Sequence, residues 1–127
     1  MGAAESINRA LNTFFNGFGI PGYLEDNIPP AASLPYLTYK PAVPGGWNQS
    51  ATFHARLWYP SKDGRVPILK TEDSISAALP SGGLTIECEG GAILLDKDNK
   101  DWAQPLDNPP EGYLCEYLIF ELTRLIP

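Results

Sequence analysis

The chain is poor in the residues from which most active sites are built: one histidine, two cysteines and one methionine in 127 residues. With His54 alone, a histidine metal cluster is excluded, and a catalytic dyad would have to use that one ring. Cys88 and Cys115 are too few for a disulfide framework or a four-ligand zinc site, and they read as buried thiols packed like small hydrophobes. Basic residues are also scarce, nine against fifteen acidic ones, for a net charge of -6 and a pI near 4.6. That balance argues against a sequence-independent grip on nucleic acid, which depends on Lys and Arg displacing condensed counterions. It suits a surface over which DNA passes without sticking. No run approaches the roughly 20 apolar residues that span a bilayer, and the start of the chain has neither a basic region nor a continuous apolar one. The expectation is a soluble chain with no membrane partner and no cleaved export signal.

Thirteen prolines and twelve glycines are present, placed between periodic segments and not in one tract, which indicates many turns in an ordered domain. The length fits a single domain, residues 1–127, with no repeat or linker to divide it. From Glu5 to Phe18, Ile7, Ala10, Leu11, Phe14, Phe15 and Phe18 fall at helical spacing. Asn8, Arg9, Asn12 and Asn16 make the other face wet. Strands are expected at Gly22 to Asn27, Pro35 to Lys40 and Ala51 to Tyr59, the last alternating with period two throughout. Pro67 to Leu79 carries a broken helical pattern, and Thr71 before Glu72 and Asp73 suggests an N-cap from which the well-defined second helix runs. A hairpin is expected from Leu84 to Glu89 and Gly91 to Asp96, then a loop from Lys97 to Gly112. Tyr113 to Leu125 reads as a last strand covered on both faces. This order predicts an α+β fold, a mixed and mostly antiparallel sheet flanked by two helices.

Several motifs fail on inspection. Residues 17–22 read G-x-G-x-x-G, but a dinucleotide site needs a strand before the glycines and a helix after them. Here the glycines follow a helix and Pro21 deletes an N–H, so the stretch is a helix stop. Asp96-Lys97-Asp98-Asn99-Lys100-Asp101 offers acidic residues, but a calcium loop counted from Asp96 would put Lys100 at position 5 and Asp101 where glycine belongs. It reads as a solvated tip, with Asp96, Asp98 and Asp101 candidates for contact with a partner. Glu116 and Glu121 have opposite parity on the last strand and cannot share a site. Trp47, Trp58 and Trp102, with Tyr36, Tyr39 and Tyr59, are more large aromatics than one small core hides, so the tryptophans are candidate subunit contacts. No catalytic residue, cofactor or metal site is assigned.

Leu11-Asn12-Thr13-Phe14-Phe15, Gly19-Ile20-Pro21-Gly22-Tyr23, Glu25-Asp26-Asn27-Ile28-Pro29 and Leu34-Pro35-Tyr36-Leu37-Thr38-Tyr39 together resemble small tail-completion proteins of long-tailed phages and prophages. Phe53-His54-Ala55-Arg56-Leu57-Trp58-Tyr59 continues the likeness to these tail terminators. The resemblance implies a structural virion protein that assembles as a homo-oligomeric ring, usually a hexamer. Such a ring caps the tail tube, joins tail to head and leaves a central channel for DNA. Its partners would be the tail-tube protein and head-tail connector proteins, and it would catalyse nothing. The alternatives are another connector or tail-tube subunit, and a small enzyme using His54 with a carboxylate.

Overall fold

The computed structural model describes residues 2–98 and 102–125. Helix α1 (Ala3–Phe15) is followed by strands β1 (Gly22–Leu24), β2 (Tyr36–Lys40) and β3 (Ser50–Pro60). Helix α2 (Val66–Ala78) leads to β4 (Leu84–Cys88), β5 (Gly91–Lys97), β6 (Ala103–Pro105) and β7 (Tyr113–Leu125). The strands form one sheet in the order β1-β2-β3-β7-β5-β4, and β6 pairs with β7 beyond the end of β5. Among the described residues only β1 and β2 are parallel; the other pairs are antiparallel, so the sheet is mixed and the fold is α+β.

The backbone of the sheet is the β3–β7 ladder, in register from Ser50 opposite Thr123 to Pro60 opposite Tyr113. Strict alternation turns Phe53, Ala55, Leu57 and Tyr59 of β3 inward with Leu118, Phe120 and Leu122 of β7, and all of them are buried. Leu37 and Tyr39 of β2 and Ile93 and Leu95 of β5 complete that face. Helix α1 touches both β1 and β4, the two ends of the strand order, so the sheet curls and α1 lies across its mouth. Phe15 is the plug: fully buried, it meets the rings of Tyr39, Phe53 and Phe120 at centroid distances of 5.0, 6.3 and 5.4 Å. Burying one such ring stabilises the fold by about 1.5–3 kcal/mol.

The asparagines of α1 have a role that a wet face does not suggest. At positions 8, 12 and 16 they form a ladder along the helix: Tyr39 Oη donates to Asn8 Oδ1, and Asn12 Nδ2 donates to Tyr39 Oη, both at 3.1 Å. Asn16 accepts the Gly22 N–H at 2.9 Å and donates to the Gly22 carbonyl at 3.2 Å. The short strand β1 is thereby held to the helix that precedes it. Gly22 fits because a Cβ there would stand 3.1 Å from Cβ of Phe15.

Four expected boundaries move. The first helix spans Ala3–Phe15 and not Glu5 to Phe18, since the Asn16 and Gly17 N–H groups turn back to the Asn12 and Phe14 carbonyls and Gly19 takes φ +82°. The first strand stops at Leu24. The second helix starts at Val66, ahead of the expected Thr71 cap, because Pro67 in its first turn needs no hydrogen-bond acceptor and has a helical φ. The Thr71 hydroxyl bonds Tyr59 Oη instead. The expected loop from Lys97 to Gly112 contains β6, and β7 is buried on its inner face from Glu116 to Leu122 but only partly on its outer one, where Tyr113, Tyr117 and Ile119 remain half-exposed. Gly22→Ala is expected to destabilise the protein by about 1–3 kcal/mol by overpacking against Phe15. Tyr39→Phe should cost about 1 kcal/mol for the shared hydroxyl. Urea denaturation of the two variants checks both values.

Candidate functional site

The structure separates the three tryptophans. Trp47, in the loop between β2 and β3, is 41% exposed, with the Arg124 guanidinium 4.4 Å from its ring centre. It lies so close over Gly91 that a Cβ there would come 2.9 Å from the indole. Trp58, on the outer face of β3, donates Nε1–H to Thr38 Oγ1 at 3.0 Å and meets Tyr113 edge to face at 5.9 Å. Trp47 and Trp58 therefore lie toward opposite ends of β7, beside Arg124 and opposite Cys115. Trp102 packs against the core, its ring 6.0 Å from that of Phe120, with Lys97 Nζ 5.6 Å above it. It does share a surface with two of the candidate acids. Trp102, Asp96 and Asp98 line an open polar depression of about 430 Å³ with Lys97 and the turn at Pro80 to Gly82. Asp96 Oδ1 accepts the Lys97 N–H at 2.8 Å, and the Asp98 N–H reaches the Ile119 carbonyl at 3.0 Å. Asp101 lies outside the described residues.

His54 stands on the outer face with Arg56 and Trp58, as the alternation of β3 requires, and stacks on Tyr117 at 4.8 Å. Burial, then the Arg56 charge, lowers its pKa from the usual histidine value. Arg56 Nη1 pairs with Glu25 Oε1 at 2.5 Å and its guanidinium sits 5.4 Å from the Tyr117 ring centre. A groove of about 360 Å³ opens here among Glu25, Tyr36, Thr38, Arg56, Trp58 and Tyr113. Cys115 is buried on the same face, and burial pushes its thiol up to about 12, which makes it an inert packing residue. Among the described residues no cluster of His, Cys, Asp and Glu could hold a metal ion, and no helix is long and apolar enough to cross a membrane.

Two features escaped the sequence reading. Glu116 takes an inward position in line with Leu118 and Phe120 and is only 3% exposed. Arg65 Nη1 pairs with its Oε1 at 2.6 Å from the start of α2, and Glu72 of the same helix lies beside it. Burial first, then the hydrogen bond and negative charge of Glu116, push the Glu72 carboxyl up to about 7, while Arg65 works the other way. Glu72 Oε1 is buried without a partner, which also favours the protonated form. Two carboxyls with one guanidinium thus hold α2 on the sheet, and the parity that Glu116 shares with Leu118 and Phe120 is the one sequence signal for its inward position. The second feature is an open apolar groove of about 440 Å³ between α1 and the edge strand β4, lined by Ala10, Phe14, Leu84, Ile86 and Cys88. Arg9 and Glu87 stand at its rim. The inward side chains of β4 are only half-buried, whereas Ile93 and Leu95 of the adjacent β5 are fully covered.

Chains of this kind, one curled mixed sheet with two helices on its inner side, are known from solved structures. One such protein, which carries a serial designation and no functional name, matches with a TM-score of 0.64 over 98% of this chain and 94% of its own. The two are 16% identical, so the likeness shows the fold alone. No protein-family model matches the chain, and no curated protein matches it.

The Glu72 carboxyl makes stability depend on pH. Its folded pKa lies above the ordinary value of 4.5, so the stabilisation it gives is complete below about 4.5 and is lost as pH rises through about 7. Glu72→Gln keeps the shape without the charge, and is expected to match the parent near pH 4.5 and exceed it at pH 8 by about 1–2 kcal/mol after allowance for solvent screening. Thermal melts of both proteins across that range test this; a parent and variant with parallel pH profiles would contradict it.

Proposed function

We propose that this chain is a structural subunit of a long-tailed phage or prophage virion: a tail terminator that forms a ring on the end of the tail tube, joins tail to head and passes DNA through its channel. In this role it is not an enzyme. The observation that carries the reading is the uncovered edge of the domain, where Leu84, Ile86 and Cys88 of β4 and Phe14 of α1 remain half-exposed around an apolar groove. A monomer with an otherwise closed core leaves such a groove for another protein surface. The residue phrases around Phe14, Pro21, Pro35 and His54 supply the family likeness. An acidic balance of -6 fits a channel wall that does not retain DNA.

The reading treats a hexamer as the assembled form, the tail-tube and connector proteins as neighbours, and the head-tail junction as the location. Mass measurement of the purified protein with and without tail tubes tests it. The expected result is a discrete ring bound at one end of each tube. Polymerisation along the tube would make it a tube subunit, and a monomer that never binds tubes would overturn the proposal.

A further inference from the structure

The apolar groove at β4 has a matching surface elsewhere on the same chain. Helix α2 opens with Val66 and Leu69 one turn apart on its outer side, and they are 62% and 38% exposed. They form an aliphatic ridge at the start of the helix. Within one chain the ridge and the groove are kept apart: α2 begins beside Glu116, which β6 faces on β7, and its later residue Ser76 reaches Lys97 at the end of β5 at 2.9 Å. The groove lies past β5, beyond β4, at the end of the strand order. A ridge on one side of a domain and a groove on another cannot satisfy each other in the same copy, but they can in the next.

We infer that Val66 and Leu69 of one copy seat in the α1–β4 groove of a second copy, between Phe14, Leu84 and Ile86. Charge supports this pairing. Among the exposed residues around the ridge Lys62, Arg65 and Lys70 outnumber Asp63 and Asp73, whereas Glu87 and Glu89 outnumber Arg9 along the groove, so the two surfaces carry opposite net charge. Contact between unlike patches is heterologous, the type of contact that builds a ring when its rotation closes and a filament when it does not. The inference rests on the ring reading for that closure and names the surfaces that make it.

Cys88 lines the groove and provides a native probe. The experiment oxidises Val66→Cys with diamide under assembling conditions and maps disulfides by peptide mass, with Ile28→Cys as an exposed control on another surface. The expected product is an intermolecular 66–88 bond, seen as a ladder on a non-reducing gel and lost in the Val66→Cys/Cys88→Ser double variant. Val66→Glu, whose exposed position leaves folding intact, should lower assembly at least tenfold. If the parent forms rings on tube ends while Val66→Glu assembles equally well, this contact is wrong and the ring reading stands. If the parent stays monomeric even with tubes, the ring reading fails and the contact falls with it.

Discussion

Closing the mouth of a curled sheet is the constraint from which the rest of this structure follows. A sheet that curls until its first and last strands both meet one helix gains a core, but only if something fills the gap, and α1 does so with Phe15 among Tyr39, Phe53 and Phe120. The β3–β7 ladder provides the wall on which that ring rests. Short β1 would be a weak edge by itself; three residues pair it with β2, and Asn16 fastens it to the helix. The closure is tight at the β1 side and slack at the β4 side, and this asymmetry is the origin of the groove.

Polar groups inside the domain appear where an element would otherwise be free to move. Tyr39 is fully packed through its ring yet keeps its hydroxyl between Asn8 and Asn12. Helix α2 is short of caps, with no side-chain hydrogen bond at its N-terminus, and is held by Arg65 on Glu116, by Thr71 on Tyr59 and by Lys97 on Ser76. A buried carboxylate such as Glu116 is tolerable only with a cation and a protonatable neighbour, and α2 supplies both. The same residues therefore fix the helix that displays Val66 and Leu69.

Much of this fold was legible in sequence, for physical reasons that also explain the misses. Period-two alternation located β3 to within a residue, since its inward Phe53, Ala55, Leu57 and Tyr59 are all buried, and the density of apolar residues from Tyr113 to Leu125 marked β7. The stripe Ile7, Leu11 and Phe15 marked α1 as a packing helix. Propensity misled at α2, where Thr71 looked like a cap but Pro67 let the helix begin a turn earlier. Three-residue β6 carries too few side chains for any period to emerge, and it exists because β7 runs on past the end of β5. The candidate contacts were less legible: Trp47 is exposed, but Trp102 mainly packs on the core and Trp58 is tied to Thr38. Large aromatics signal burial of some kind, and only tertiary structure tells a core from an interface. The ridge at Val66 and Leu69 and the half-covered β4 edge depend on which neighbours are missing, information that no local pattern contains.

The proposed ring gives these features one explanation: each copy covers, on its neighbour, the edge that its own helix leaves open. Hydrogen exchange at the amides of Leu84 to Cys88 and at the Arg9 to Phe14 stretch of α1, compared between free protein and protein assembled on tail tubes, tests that claim most directly. The account predicts strong slowing at the β4 amides on assembly, with the β3–β7 ladder protected alike in both states. Unchanged exchange at β4 in the assembled protein would contradict it.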